Sequence, residues 1–293
     1  MHYNDYFSSY GYDQGNPNVY DPEARRVKTN TIRRSKAYFE GTKTNGLSSF
    51  YYDNYITLSS KYGRITAMES IGGTLKVLLE RKQVSIYIGA NSLKQAKISG
   101  SDVVVSTDNV FGSQNESEYQ FGTKHPESVV VAGRHMVFYD HSNACIVRDA
   151  ANGPLDISQV YKISTWMQSV SKIIGEADYS RVVSGYSSKY SEVWMSFYAE
   201  KNGNVTLCST VIFDEKDQST GFRFVDLEDE AGKTADAYCP LSKELYVYRG
   251  GELYQCDDGA PGTFFGLKKM FLVKFSSNMN SATRKVFESI TEN

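Results

Sequence analysis

Three histidines, His125, His135 and His141, fall close together in this chain, with Asp140 beside the last. A metal site would need them to converge with that carboxylate. On an alternating strand, His135 and Tyr139 share a face while Asp140 points the other way, and His141 enters a turn before Asn143. They read as turn and surface histidines, and no metal or cofactor is expected. Glycoside cleavage needs two carboxylates about 5–10 Å apart across the sugar. Asp53, Asp140, Asp214 and Glu215 are the candidates, but each sits at a strand end or turn, where acids are common. No Ser-x-Asp-x-Gly-x-x-x-Trp box is present; the nearest string, 106–111, lacks its Gly and Trp.

Gly232-Lys233-Thr234 has the ending of a phosphate loop, but Leu227 stands where its first glycine belongs. The acids Glu228, Asp229 and Glu230 would repel phosphate. With Asp226 they lack the spacing and glycine of a calcium loop and read as a solvated turn. Arg25, Arg26, Lys28, Arg33, Arg34 and Lys36 form a basic stretch with no acid in it, flanked by Tyr20 and Tyr38. Two readings stand: a nucleic-acid footprint, or a face for an acidic protein neighbour, which is favoured. The chain holds 22 tyrosines, which suit either an interface or ordinary β-sheet. Cys145, Cys208, Cys239 and Cys256 form no CxxC pair and read as small buried hydrophobes.

The elements that would carry these residues show period-two alternation. Residues 71–88, 127–148 and 239–254 each run from a Gly or polar turn into an alternating apolar run, a short break, and a second such run. This is the pattern of half-buried strands in hairpins. A hairpin unit recurring every few dozen residues predicts an all-β fold, a β-propeller-like array of antiparallel hairpin blades. Four-stranded blades of roughly 40–50 residues allow about five of them at most.

Residues 1–30 differ. Tyr3, Tyr6, Tyr10, Tyr12 and Tyr20 sit among Asn, Asp, Gly, Ser and Pro with almost no aliphatics. That segment reads as a disordered arm or one that orders along a neighbour. The β domain is expected over 31–293, with a first strand at TIRRS and later ones at 55–59, 65–71, 74–81, 84–89, 102–107, 181–187, 192–200, 205–215 and 221–228. Residues 112–128 read as an exposed loop. Ile157, Val160, Ile163, Met167, Val170 and Ile174 recur at helical spacing. They predict one inserted amphipathic helix over 156–174, capped by Asp156 and closed by a left-handed Gly175. Strand-like text at 269–277 and in the closing RKVFESITEN suggests a larger sheet system.

Net charge is −2, so no overall field recruits nucleic acid or an anionic membrane. No apolar run approaches the roughly 20 residues of a spanning helix, and no membrane is expected. The N-terminus has neither a basic nor an apolar signal region.

Several strings in order, TIRRS, KYGRITAMES then TLKVLLERKQVSIYI, YQFGTKHPESVV then MVFYDHSNACIVR, LDIS, and ELYVYRGGELYQ to KVFESI, resemble the propeller portion of tail proteins of short-tailed, crAss-like bacteriophages. The likeness is to the muzzle at the distal end of the tail and covers roughly residues 30–293. Muzzle proteins are much longer, so the chain would be a fragment, a cleaved product or a shortened relative. The Tyr-rich arm has no matching counterpart. The resemblance implies a virion structural protein, made in the host cytoplasm and placed in the tail. It also implies a homo-oligomeric ring near the DNA channel, contacts with other phage tail proteins, and no enzymatic residues.

The expected role is therefore non-catalytic. Tyr3, Tyr6, Tyr10, Tyr12, Tyr20, Arg25, Arg26, Arg33 and Arg34 are the candidate partner contacts. The alternative is a carbohydrate-binding or glycoside-cleaving β-propeller, with Tyr119, Phe121, Phe264 and Phe265 as sugar-stacking platforms.

Overall fold

The computed structural model describes residues 27–35, 47–50, 54–88, 93–98, 101–106, 111–216, 221–225, 227–260 and 262–268. The chain divides into two compact units, Met1–Ile65 and Thr66–Asn293. In the first, β1 (Thr31–Arg33) pairs antiparallel with β2 (Tyr55–Thr57). Ile32 and Leu58 are buried. The Asn30 side-chain amide donates to the Gly63 carbonyl, tying the strand start to the turn after β2.

The second unit is a succession of antiparallel sheets. The first sheet takes β3 (Ile65–Ile71), β4 (Thr74–Leu79) and β5 (Gln83–Ile88). A separate pair follows, β6 (Leu93–Ile98) with β7 (Ser101–Ser106), before β8 (Phe111–Glu116) returns to the edge of β5. The second sheet is a plain meander of β9 (Val130–Ala132), β10 (His135–Asp140), β11 (Cys145–Ala150) and β12 (Gly153–Asp156). Two helices intervene, α1 (Ile157–Val160) and α2 (Ser164–Glu176). The third sheet is β13 (Tyr179–Ser187), β14 (Glu192–Lys201), β15 (Asn204–Asp214) and β16 (Phe222–Val225). The fourth is β17 (Ala237–Leu241), β18 (Glu244–Arg249) and β19 (Glu252–Gln255), followed by the small hairpin β20 (Thr263–Phe264) and β21 (Leu267–Lys268). The fold class is all-β, as the alternation predicts.

Alternation also decides which core each side chain enters. On β10, Met136 and Phe138 join Leu78, Cys145 and Val147 between sheets one and two. Val137 and Tyr139, one residue out of phase, join a core shared with sheet three. On β14, Val193, Met195 and Phe197 face that shared core, while Trp194 faces a third core with Leu245 and Val247 of sheet four. Strands buried on both faces read as near-continuous apolar runs, which is why HMVFYD and EVWMSFYA look as they do. Strand β13 packs against both β9 and β17, so the first strands of three successive sheets lie together. The tight turn between β18 and β19 uses Gly250 and Gly251 at φ 60° and 95°, the left-handed geometry that two-residue hairpins need.

The predicted single helix over 156–174 is two helices. Asp156 does cap the first, its carboxylate accepting from the Gln159 N–H at 3.1 Å. That helix ends after one turn because Lys162 takes φ 60° and the Ile163 N–H turns back to the Ser158 carbonyl at 2.9 Å. The Ser158 hydroxyl is meanwhile committed to the Ile146 N–H of β11, at 2.6 Å. Gly175 lies inside α2, and Ala177 is the C-cap. Met167, Val170 and Ile174 are buried as expected, whereas Val160 is exposed. The stretch expected as an exposed loop, 112–128, is largely exposed, but β8 occupies its start, and Gly122, Thr123 and Ser128 are buried. The predicted arm up to residue 26, and the strands predicted from residue 269 onward, lie outside the described residues.

Candidate binding site

A cleft of about 630 Å³ opens beside β14, sheet four and the β20–β21 hairpin. Its floor is Trp194, Leu227 and Val247, all buried. Strand periodicity places Glu192 on the same side of β14 as Trp194. The indole N–H donates to the Glu192 carboxylate at 3.1 Å, which fixes the ring. Arg223 of β16 donates to the other oxygen of Glu192. Tyr254 of β19 and Phe264 and Phe265 of the hairpin form the aromatic rim. The Tyr254 and Phe265 rings meet edge to face at 5.1 Å, and the Tyr254 hydroxyl donates to Glu252 at 2.5 Å.

The polar groups of the cleft are Gln255, Asp257, Asp258 and Thr263. Burial raises the Asp257 carboxyl above its ordinary range and Glu244 adds to this, while Lys189 and Arg223 pull it back. Burial also pushes the Cys256 thiol up to about 12, so it stays protonated and unreactive at neutral pH. Phe265 occupies the first position of the hairpin turn at φ 50°, where Asn or Gly is the relaxed choice. A bulky side chain there costs about 1 kcal/mol or more.

A second cluster forms where the sequence suggested only scattered histidines. The rings of His125, His141 and Tyr139 form a triangle, with His125 and His141 6.2 Å apart and Tyr139 5.7 and 6.2 Å from them. The Tyr139 hydroxyl lies 2.5 Å from Ser171 Oγ on α2 and 3.3 Å from His141 Nδ1. Burial, then His141 and Lys124, lower the His125 pKa to about 4. Burial likewise lowers His141. His135 stands apart, its Nε2 3.0 Å from Glu215, which also binds Arg148. Asp140 accepts from the N–H groups of Gly122, Ser142 and Asn143 and from the Asn143 amide, so it locks the β10–β11 turn to the segment before it.

The other sequence candidates are dispersed. Asp214 accepts from the Lys216 N–H at 2.8 Å, and Asp53 lies outside the described residues. The acidic run forms a turn around Asp229, which accepts from the Ala231 and Lys233 N–H groups and binds Arg249 at 2.7 Å. Arg249 also binds Asp236, which in turn holds Arg181 of β13 at 2.6 Å. Sequence reading missed this ion-pair cluster because its members lie far apart along the chain. Lys233 reaches Glu200 at 3.4 Å, and Thr234 is buried against Thr210. Among the described residues, no group of three or more His, Cys, Asp or Glu is placed to hold a metal.

Tyr3, Tyr6, Tyr10, Tyr12, Tyr20, Arg25 and Arg26 lie outside the described residues. Arg33 is exposed on β1 opposite Tyr55, over whose ring Lys28 sits at 5.3 Å. Arg34 continues that pairing, its N–H donating to the Asn54 carbonyl at 3.0 Å. The four aromatics considered as one sugar platform separate. Phe121 packs with the core between sheets one and two, stacked on Tyr119 at 5.8 Å, while Phe264 and Phe265 belong to the cleft. All four cysteines are free. No helix among the described residues is long and apolar enough to cross a membrane. No protein-family model matches the chain, and a comparison with curated proteins finds no match.

Proposed function

We infer that this chain is a non-catalytic binding platform, a propeller-like array of blades serving as a structural component in the tail of a short-tailed bacteriophage. The observation that carries the architectural part is the contact of β13 with both β9 and β17. Successive antiparallel sheets whose first strands adjoin, each burying a core against the next, are the local geometry of neighbouring propeller blades. The viral part rests on the ordered resemblance of the strings described above.

Among the described residues, the outer strands β12, β16 and β19 end their sheets. They are short and carry Pro154, Arg223 and Glu252, devices that discourage indiscriminate edge pairing. They also leave Leu155, Phe224 and Leu253 more than half exposed, apolar area that a neighbouring tail protein can cover. Copies would form a ring around the DNA channel. Mass spectrometry of purified particles tests the role. The chain should be present at several copies per virion, with density in the tail. Its absence from particles made by a phage that encodes it would end the reading.

A further inference from the structure

We propose that the cleft between Trp194, Tyr254, Phe264 and Phe265 binds a neutral saccharide, held by ring stacking and by hydroxyl hydrogen bonds to Asp257 and Asp258. The inference stands apart from the assembly role: a platform absent from virions could still bind sugar, and a tail protein could lack the site.

Size, shape and charge each narrow the ligand. The cavity of about 630 Å³ falls within the ~300–1,000 Å³ of small-ligand sites. Its surface combines flat apolar rings with a few convergent polar groups, the mixture such sites use. A pyranose matches both halves, with C–H faces that lie on aromatic rings and an equator of hydroxyl donors. Among the described residues, the only charged side chains lining the cleft are Asp257 and Asp258, which disfavours phosphates and other anions. Arg223 lines the adjoining cavity with Asp257 and Trp194, and Lys189 also acts on the Asp257 carboxyl. A cationic ligand would therefore meet positive charge already in place. What remains is a neutral, polyhydroxylated molecule with an apolar face.

Phe265 supplies an independent argument. A phenylalanine is held in a left-handed turn position, at φ 50°, where its ring completes the rim against Tyr254. Backbone strain of this kind persists where surroundings over-determine it, and it clusters at ligand sites.

The test uses the full chain carrying Trp166→Phe. Trp166 packs between Phe197 and Phe224, facing the other core, so its removal leaves Trp194 as the sole indole reporter. An array of neutral hexose, deoxyhexose and N-acetylhexosamine oligosaccharides, with sialylated glycans and tri-lysine as charged probes, identifies a binder for fluorescence titration. The expected result is saturable change in Trp194 emission with a neutral oligosaccharide. Binding should weaken about tenfold or more in Asp257→Asn and in Phe264→Ala, since each loses a directed contact, and be unchanged in Tyr119→Ala. Because Asp257→Asn keeps the size of the side chain and Asp257 is not part of a core cluster, the variant tests the site without threatening the fold. No saturable neutral glycan, binding that survives both substitutions, or binding confined to the charged probes would overturn the proposal.

Discussion

Sheet three is covered on both faces, and the two coverings differ. Toward sheet two, Val193, Met195 and Phe197 meet Val137, Tyr139 and Ile146, with Met167 and Val170 of α2 closing the side. Every one of those residues is essentially inaccessible. Toward sheet four, Trp194, Ile212, Leu245 and Val247 form a smaller core that stops at the cleft, with only partly buried Phe264 and Phe265 beyond it. The helices are the cause of the difference. They fill the first wedge between sheets, while among the described residues the second has only the β20–β21 hairpin to fill it. The proposed binding site falls where packing was left unfinished, and the closely packed core where it was completed.

The largest test of that contrast is Phe197→Ala. Phe197 touches Tyr139 and Trp166 edge to face at 5.3 and 5.5 Å in the closed core. Truncation should cost about 3–5 kcal/mol by urea unfolding. A loss below about 1 kcal/mol would mean the wedge is not closely packed.

Gly185→Ala comes next, on the opposite face. An added Cβ would lie 2.4 Å from Tyr238 Cβ and 2.7 Å from its Cγ. Tyr238 cannot easily retreat, because its hydroxyl is bonded to Ser196 Oγ at 2.6 Å. The expected loss is about 1–3 kcal/mol, accompanied by a change in Trp194 emission, since the Trp194 and Tyr238 rings are 6.5 Å apart.

Acid should separate the two faces. Burial is the first cause lowering His125, His135 and His141, although Glu215 opposes it at His135. The folded chain therefore prefers neutral imidazoles. Their contribution is complete above pH 6.5 and is lost as pH falls from 6.5 through about 4, where His125 titrates. Asp140, raised by burial, works in the opposite sense at the lower end of that window. At the other face, burial pushes Asp229 and Asp236 up, but backbone N–H groups with Arg249 and Arg181 more than reverse it. Those carboxyls hold their contribution until pH falls below their ordinary value of 3.8. Unfolding midpoints should thus fall between pH 7 and 4.5, and His125→Gln should flatten the fall. An unchanged slope in that variant would remove His125 as a cause.

The sheets were legible because alternation is local. Residues 65–71, 192–200 and the Gly250-Gly251 hairpin emerge with nearly their predicted bounds. The broken helix was not, because Lys162 carries no glycine-like signal for its left-handed turn. Burial of Gly122 and Thr123 was hidden too, since they find their partners at Asp140 and Leu79, far along the chain. The cleft is assembled from β14, β18, β19 and a hairpin beyond. Phe264 and Phe265 could be named as aromatic candidates, but nothing local said that Trp194 would be their floor.

The smallest expected effect is the sharpest for the comparison. Phe265→Asn places a residue that tolerates the left-handed region where φ is 50°. Relief of backbone strain contributes about 1 kcal/mol, and loss of the partly buried ring against Tyr254 removes a similar amount. Stability should therefore change by less than about 1 kcal/mol, against the several expected at Phe197. If the cleft is where the molecule trades packing for recognition, the same substitution should abolish saccharide-dependent Trp194 emission while leaving the unfolding curve in place. A large stability loss at Phe265 would instead make the hairpin a true closure of the third core, and the two faces of sheet three would then be alike.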